Sequence, residues 1–162
     1  MLCVLCGSNA LSGLNTVRNL KGDVMAKTIQ QTARFSVPPA VLFDIYLDSK
    51  KHSAATNSKT SISRRVGGKF SAFHGMLQGR NLAIVPNRMI VQAWRSSDWN
   101  QGEPDSILIL TFSKIRGGGQ IDLVHANIPD HAYPGIRRGW PKYYWRPWKA
   151  YLRLRPGGRR NT

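Results

Sequence analysis

Acidic side chains are scarce in this 162-residue chain: Asp and Glu number 8 against 24 Lys and Arg, a formal net charge of +16. No acid follows Asp130, whereas nine Lys or Arg do. That imbalance selects partners with negative surfaces (nucleic acid, anionic lipid or an acidic protein face) and is silent about fold. Cysteine is also nearly missing. Cys3 and Cys6 are the only two, which excludes a disulfide framework and suits a reducing cytoplasm, the expected location. Their Cys-x-x-Cys spacing has no second pair and no neighbouring His, so no zinc or redox site is expected there. No apolar run approaches the roughly 18 residues that a transmembrane helix needs.

Catalytic signatures are missing too. There is no Gly-x-Ser-x-Gly elbow, no Gly-x-x-x-x-Gly-Lys phosphate loop and no close pair of carboxylates, so no catalytic residue, cofactor or metal is assigned. The four His are His52, His74, His125 and His131. His125 and His131 flank Asp130, but Pro129 interrupts them and their spacing matches no helical ligand pair. They read as a residue at a strand end and a residue in a surface loop.

What the chain does have is 41% hydrophobic residues and five Trp, enough for one domain with a core. Residues 1–24 read as a flexible extension, since Met25 opens MAKTIQQTARF like a natural start. Residues 25–155 read as the domain and 156–162 as a basic tail. Thr28 to Phe35 has strand character, and Val37-Pro38-Pro39 ends it. Ala40 to Asp48 carries Val41, Leu42, Ile45 and Tyr46 at helical spacing, with prolines where a helix entry tolerates a missing N–H. SKKHSAATN supplies a short second helix or a loop. From Ser61 on, short β-type runs alternate with turn signals: Gly67-Gly68, Pro86-Asn87 and Gly117-Gly118-Gly119. The clearest runs are SILILTFSKI (Ser106–Ile115) and QIDLVHANI (Gln120–Ile128). Strands do not alternate with helices, so the sheet is antiparallel.

The last element is GWPKYYWRPWKAYLRLR, Gly139 to Arg155, with three Trp, three Tyr, five Lys or Arg and no acid. Aromatics among bases describe either a single-stranded nucleic-acid platform or an amphipathic helix. Lys142, Arg146, Lys149 and Arg153 are spaced 4, 3, 4 and share one stripe of a 3.6-residue helix. Tyr144, Trp148, Tyr151 and Leu152 fall on the opposite side, which favours a helix with one face in and one out. Pro141 suits a first helical position; Pro147 does not suit an interior and predicts a kink or restart near Tyr143.

Strand, helices, antiparallel meander and terminal helix make an α+β, helix-grip fold: a curved antiparallel sheet of six to seven strands around a long C-terminal helix. The pieces VPPAVLFDIYLDSKKHSAAT, GGKFSAFHGMLQGRNLAIVPNRMIVQAWRSSDW, SILILTFSK and GWPKYYWRPWKAYL, spanning about Ala26 to Leu152, carry a family resemblance. The sequence resembles the domain of the activators of the heat shock protein 90 ATPase, within the START-like, birch-allergen-like (SRPBCC) helix-grip superfamily. It looks like the stand-alone type. The resemblance implies either a small-molecule cavity or a chaperone-binding face.

Sheet alternation puts Phe70, Ala72 and His74 on one face, where His74 would orient a ligand. Phe70, His74, Trp94, Tyr144, Trp148 and Tyr151 are the candidate cavity wall. Arg137, Arg138, Lys142, Arg146, Lys149 and Arg153 are the candidate partner-binding face, assigned from charge alone. The expected function is non-enzymatic binding of an apolar small molecule, or of a chaperone or other acidic protein. Nucleic-acid binding through the basic stripe is the rival, with electrostatic but no motif support. A START-like enzyme acting in the cavity is the second rival, for which no acid–base pair is evident.

Overall fold

The computed structural model of the protein describes residues 26–154. The expected extension, the two cysteines and the basic tail lie outside the described residues. Seven antiparallel strands form one sheet in the order β1-β7-β6-β5-β4-β3-β2. They are β1 (Ala26–Phe35), β2 (Ser61–Ile62), β3 (Lys69–Ala72), β4 (Leu77–Val85), β5 (Met89–Ser96), β6 (Ser106–Ile115) and β7 (Gly118–Pro129). Two short helices, α1 (Pro39–Leu47) and α2 (Ser49–Thr56), follow the first strand. The chain ends in a helical run made of α3 (Tyr133–Gly139), a π-helical segment (Trp140–Trp145) and α4 (Arg146–Arg153). This is the helix-grip fold.

Local chemistry explains the sheet. β1 buries Ile29, Ala33 and Phe35 and exposes Arg34, the alternation of a half-buried strand. β4 and β5 meet at Pro86-Asn87, where Asn87 takes the left-handed φ of 58° that Asn tolerates. Gly79 is required by packing: a Cβ there would sit 2.0 Å from the Ala93 carbonyl oxygen and 2.6 Å from the Phe70 ring. Phe70 lies directly opposite Gly79 in the β3–β4 register and fills the space the missing side chain leaves.

The inner face of the sheet and the helices share one core, including Ile90, Leu108, Leu110, Ile121 and Leu123 from strands and Leu42, Ile45, Trp140 and Trp148 from helices. A buried polar chain crosses it. The Tyr46 hydroxyl donates to Gln92 Oε1 (2.7 Å), and Gln92 Nε2 donates to Asn81 Oδ1 (2.8 Å). Asn81 Nδ2 donates to the Ser63 carbonyl (2.7 Å). This chain fixes α1 against β5 and β4 and satisfies two fully buried amides.

The terminal helix differs from its expected form in two ways. It begins at Tyr133, two turns before Pro141, because Pro134 already occupies an opening position. Pro141 is therefore interior and cannot donate to the Arg137 carbonyl four residues back. Gln31 of β1 replaces that donor: its Nε2 lies 2.9 Å from the Arg137 oxygen, and its Oε1 accepts from Trp145 Nε1 at 3.1 Å. The expected break near Tyr143 is the π segment, in which the Arg146 N–H reaches the Pro141 carbonyl five residues back. That wider turn sits just ahead of Pro147, whose ring would crowd the preceding carbonyl of a continuous α-helix.

His125 corrects the strand-end reading. It lies inside β7 opposite Leu108 and is fully buried.

Candidate ligand cavity and basic helix face

The π segment adds a residue to its turn and so brings Trp140, Tyr144, Trp145 and Trp148 all to the buried side. Trp140 and Trp145 stack with ring centroids 5.5 Å apart and planes 18° apart. Trp148 is enclosed by Phe35, Tyr46, His52, Tyr144 and Trp145. It fills the core.

Between the terminal helix and the far ends of β4 and β5 lies a cavity of about 410 Å³. Phe73, Trp94, Trp99, Trp140, Tyr143 and Tyr144 are its aromatic walls, Met76, Leu77 and Ile136 its aliphatic ones. Ser96, Asp98 and His131 supply polar groups. Of the six wall residues expected from sequence, Trp94 and Tyr144 line this space. Phe70 is buried beside Gly79, Trp148 is core, and Tyr151 is half-buried away from the cavity. His74 is exposed: β3 ends at Ala72, and Phe73 and His74 turn with φ of 51° and 57°, so strand alternation stops before it.

Behind the aromatic wall a hydrogen-bonded relay sets the position of Trp140. Trp140 Nε1 donates to His125 Nδ1 (3.2 Å), which leaves the proton on Nε2 to be donated to Ser106 Oγ (2.7 Å). Ser106 Oγ in turn donates to the Trp94 carbonyl (2.8 Å). The relay requires neutral imidazole, and burial pushes His125 down to about 3. His52 is the second buried imidazole. Its Nδ1 faces the Tyr46 carbonyl at 3.0 Å, so it carries the proton there, and burial lowers the ring to about 4 against a smaller opposing effect of that bond. Its Nε2 has no partner among the described residues, like the indole nitrogens of Trp99 and Trp148. Burial raises the Tyr144 phenol, which stays protonated.

A second space, of about 590 Å³, lies between α1 and the β4–β5 turn, lined by Val41, Phe43, Ile84 and Pro86. Its charged groups already satisfy one another: Asp44 pairs with Lys51 and with Arg64 (2.9 Å). The Lys51 hydrogen bond, opposed by burial and aided by Arg64, holds the Asp44 carboxyl below its usual range.

All six candidate partner-binding bases, Arg137, Arg138, Lys142, Arg146, Lys149 and Arg153, are exposed. Among the described residues no carboxylate pairs with any of them. Lys142 lies over the Tyr143 ring (4.9 Å) and Lys149 over the Phe35 ring (5.7 Å). Of the aromatics in the terminal helix Tyr143 is the most exposed, at 47%. The stripe therefore offers charge without a row of stacking rings. No helix among the described residues is long and apolar enough to cross a membrane.

Residues 36–153 match the family model described as "Activator of Hsp90 ATPase homolog 1-like protein". An activator of 90 kDa heat shock protein ATPase homolog from Dictyostelium discoideum is 28% identical over 116 residues, covering 72% of this chain and 30% of that protein. The Homo sapiens activator homolog 1 is 28% identical over 117 residues, covering 72% of this chain and 34% of its own length. The chain thus spans about a third of the curated relatives it matches. Among solved structures, an HSP90 activator from Plasmodium falciparum superposes with a TM-score of 0.72 at 26% identity, over 77% of this chain and 95% of that one. A protein from Mesorhizobium loti shares the fold at TM-score 0.68 and 20% identity, over 80% and 99% of the two chains.

Proposed function

The chain belongs to the family of activators of heat shock protein 90 ATPase homolog 1-like proteins, and from that premise we propose that it is a non-enzymatic chaperone-regulating module. The observation that carries the proposal is the family match over residues 36–153, nearly the whole described domain. The docking surface is the basic face of the terminal helix, where six exposed bases lack carboxylate partners within the described residues. An acidic surface on the chaperone would meet it, with charge setting association rate more than final affinity. Such a partner puts the working protein in the cytoplasm. The test is to add the purified chain to heat shock protein 90 from the same organism and measure binding and ATP turnover. Saturable binding with a changed turnover rate supports the reading; no binding at low salt removes it.

A second reading has its own observation, the aromatic cavity of about 410 Å³ under the terminal helix. Its volume falls within the range of small-molecule sites, and apolar walls with a few polar groups are what such sites share. Here the module would bind a small molecule. Because the helix that roofs the cavity also carries the basic face, one ligand could bias the other.

A further inference from the structure

The cavity under the terminal helix has an unusual charge. The chain contains 24 Lys and Arg, yet none among the described residues lines this space. The ionisable groups that do are Asp98, His131, Tyr143 and Tyr144. His131 is committed: its Nε2 lies 2.9 Å from Glu103 Oε1, so even as a cation it faces a carboxylate that cancels it. Asp98 is exposed and makes no hydrogen bond or ion pair among the described residues. The wall also carries Phe73, Trp94, Trp99 and Trp140, which with the two tyrosines make six aromatic side chains whose ring faces carry partial negative charge, beside the aliphatic Met76, Leu77 and Ile136.

From this geometry we infer that the cavity takes a small organic cation, an ammonium or amidinium group on an apolar or aromatic body. The head sits between the Asp98 carboxylate and the ring faces at the rim, and the body lies among Trp94, Trp140 and Tyr144. An anion would face Asp98, and the bases nearest the walls, Lys142 over the Tyr143 ring (4.9 Å) and Arg95 over the Trp99 ring (5.9 Å), are not among the residues that line the space. A neutral apolar molecule would fill the volume but leave Asp98 without a role. Trp99 adds a second requirement. Its indole N–H is buried without a partner among the described residues, a state that costs free energy, so an oxygen or nitrogen acceptor on the ligand body has a donor waiting. Of the two bases near the walls, Arg95 is engaged by the Glu103 and Asn100 carbonyls and by Asp105, and Lys142 stands on the exposed Tyr143 ring, which leaves the Trp94, Trp140 and Tyr144 faces for the ligand.

The inference rests on the cavity reading and is independent of the chaperone reading. The test uses three compounds with one body: 4-phenylbutylamine, 4-phenylbutan-1-ol and 4-phenylbutyrate. Each is titrated calorimetrically into the full chain and into Asp98→Asn at about 0.15 M salt. An exposed carboxylate without hydrogen bonds makes that variant safe for folding. The expected result is that the amine binds about tenfold more tightly than the alcohol, the gain of a cation–π contact with a carboxylate behind it. The carboxylate should show no saturable binding. Asp98→Asn should weaken the amine about fivefold or more and leave the alcohol within about twofold. Equal binding of amine and alcohol, tightest binding of the carboxylate, or an unchanged amine affinity in Asp98→Asn would each overturn the cation assignment while leaving the cavity reading intact. No binding by any of the three would overturn both.

Discussion

His125 and His52 show what single residues contribute. Both are neutral, buried and surrounded by aromatic rings, and burial lowers both, to about 3 and about 4. An unfolded His titrates near 6.5. The folded state therefore binds fewer protons than the unfolded state between that value and the folded ones, and stability falls as pH falls through this window. Urea midpoints measured from pH 7.5 to 5 should drop steadily below about 6.5, before most carboxylates titrate. A flat profile over that interval would contradict the two assignments. Gly79 gives a second prediction at this scale. Gly79→Ala would drive a Cβ into the Ala93 carbonyl and the Phe70 ring and should cost about 3 kcal/mol or more, measured by denaturant unfolding.

At the scale of elements, the terminal helix is tied to β1 by one side chain, in addition to its buried aromatic packing. Gln31 bonds both the carbonyl orphaned by Pro141 and the indole of Trp145. Gln31→Ala should cost about 1–3 kcal/mol. In a Pro141→Ala background the backbone regains an N–H for the Arg137 carbonyl, so the same substitution should cost less. A double-mutant cycle reads this as a coupling of about 1 kcal/mol, and additive effects would show that the two residues do not share that carbonyl. This helix also marks the limit of what sequence could show. β6 was legible to the residue at Ser106–Ile115, and α1 to within one residue of Ala40–Asp48, because apolar patterning and turn residues act locally. The inward turn of Trp140 and Trp145 was not, because a 3.6-residue spacing misplaces side chains once a π turn shifts the phase. His74 was misplaced for a similar reason: the period-two argument assumes the strand continues, and β3 stops at Ala72. Trp99 and Asp98 sit on a loop, where no periodicity points to a shared wall with Trp94 and Tyr144.

At the scale of the whole molecule, the architecture separates two surfaces of opposite character on one helical run. The inner side is aromatic and bounds a cavity that no Lys or Arg among the described residues lines. The outer side is basic and without carboxylate partners among the described residues. The first was only partly legible, since loops complete it, whereas the 4-3-4 spacing of Lys142, Arg146, Lys149 and Arg153 put all four on the exposed side as expected. A charge bias of this kind also attracts nucleic acid, so salt dependence alone does not identify the partner. Random single-stranded DNA is the control, and the buried state of Trp140, Trp145 and Trp148 leaves it little to stack on. The most direct test of a chaperone-regulating module measures association of the full chain with heat shock protein 90 from the same organism. The native chain is compared with the Arg146→Glu, Lys149→Glu, Arg153→Glu triple variant across a salt series. The account predicts saturable binding, an association rate at low salt at least about tenfold lower in the variant, and convergence of the two at about 1 M salt. Binding that is absent, or that is equal for the two proteins at every salt concentration while DNA binds more tightly, would contradict it.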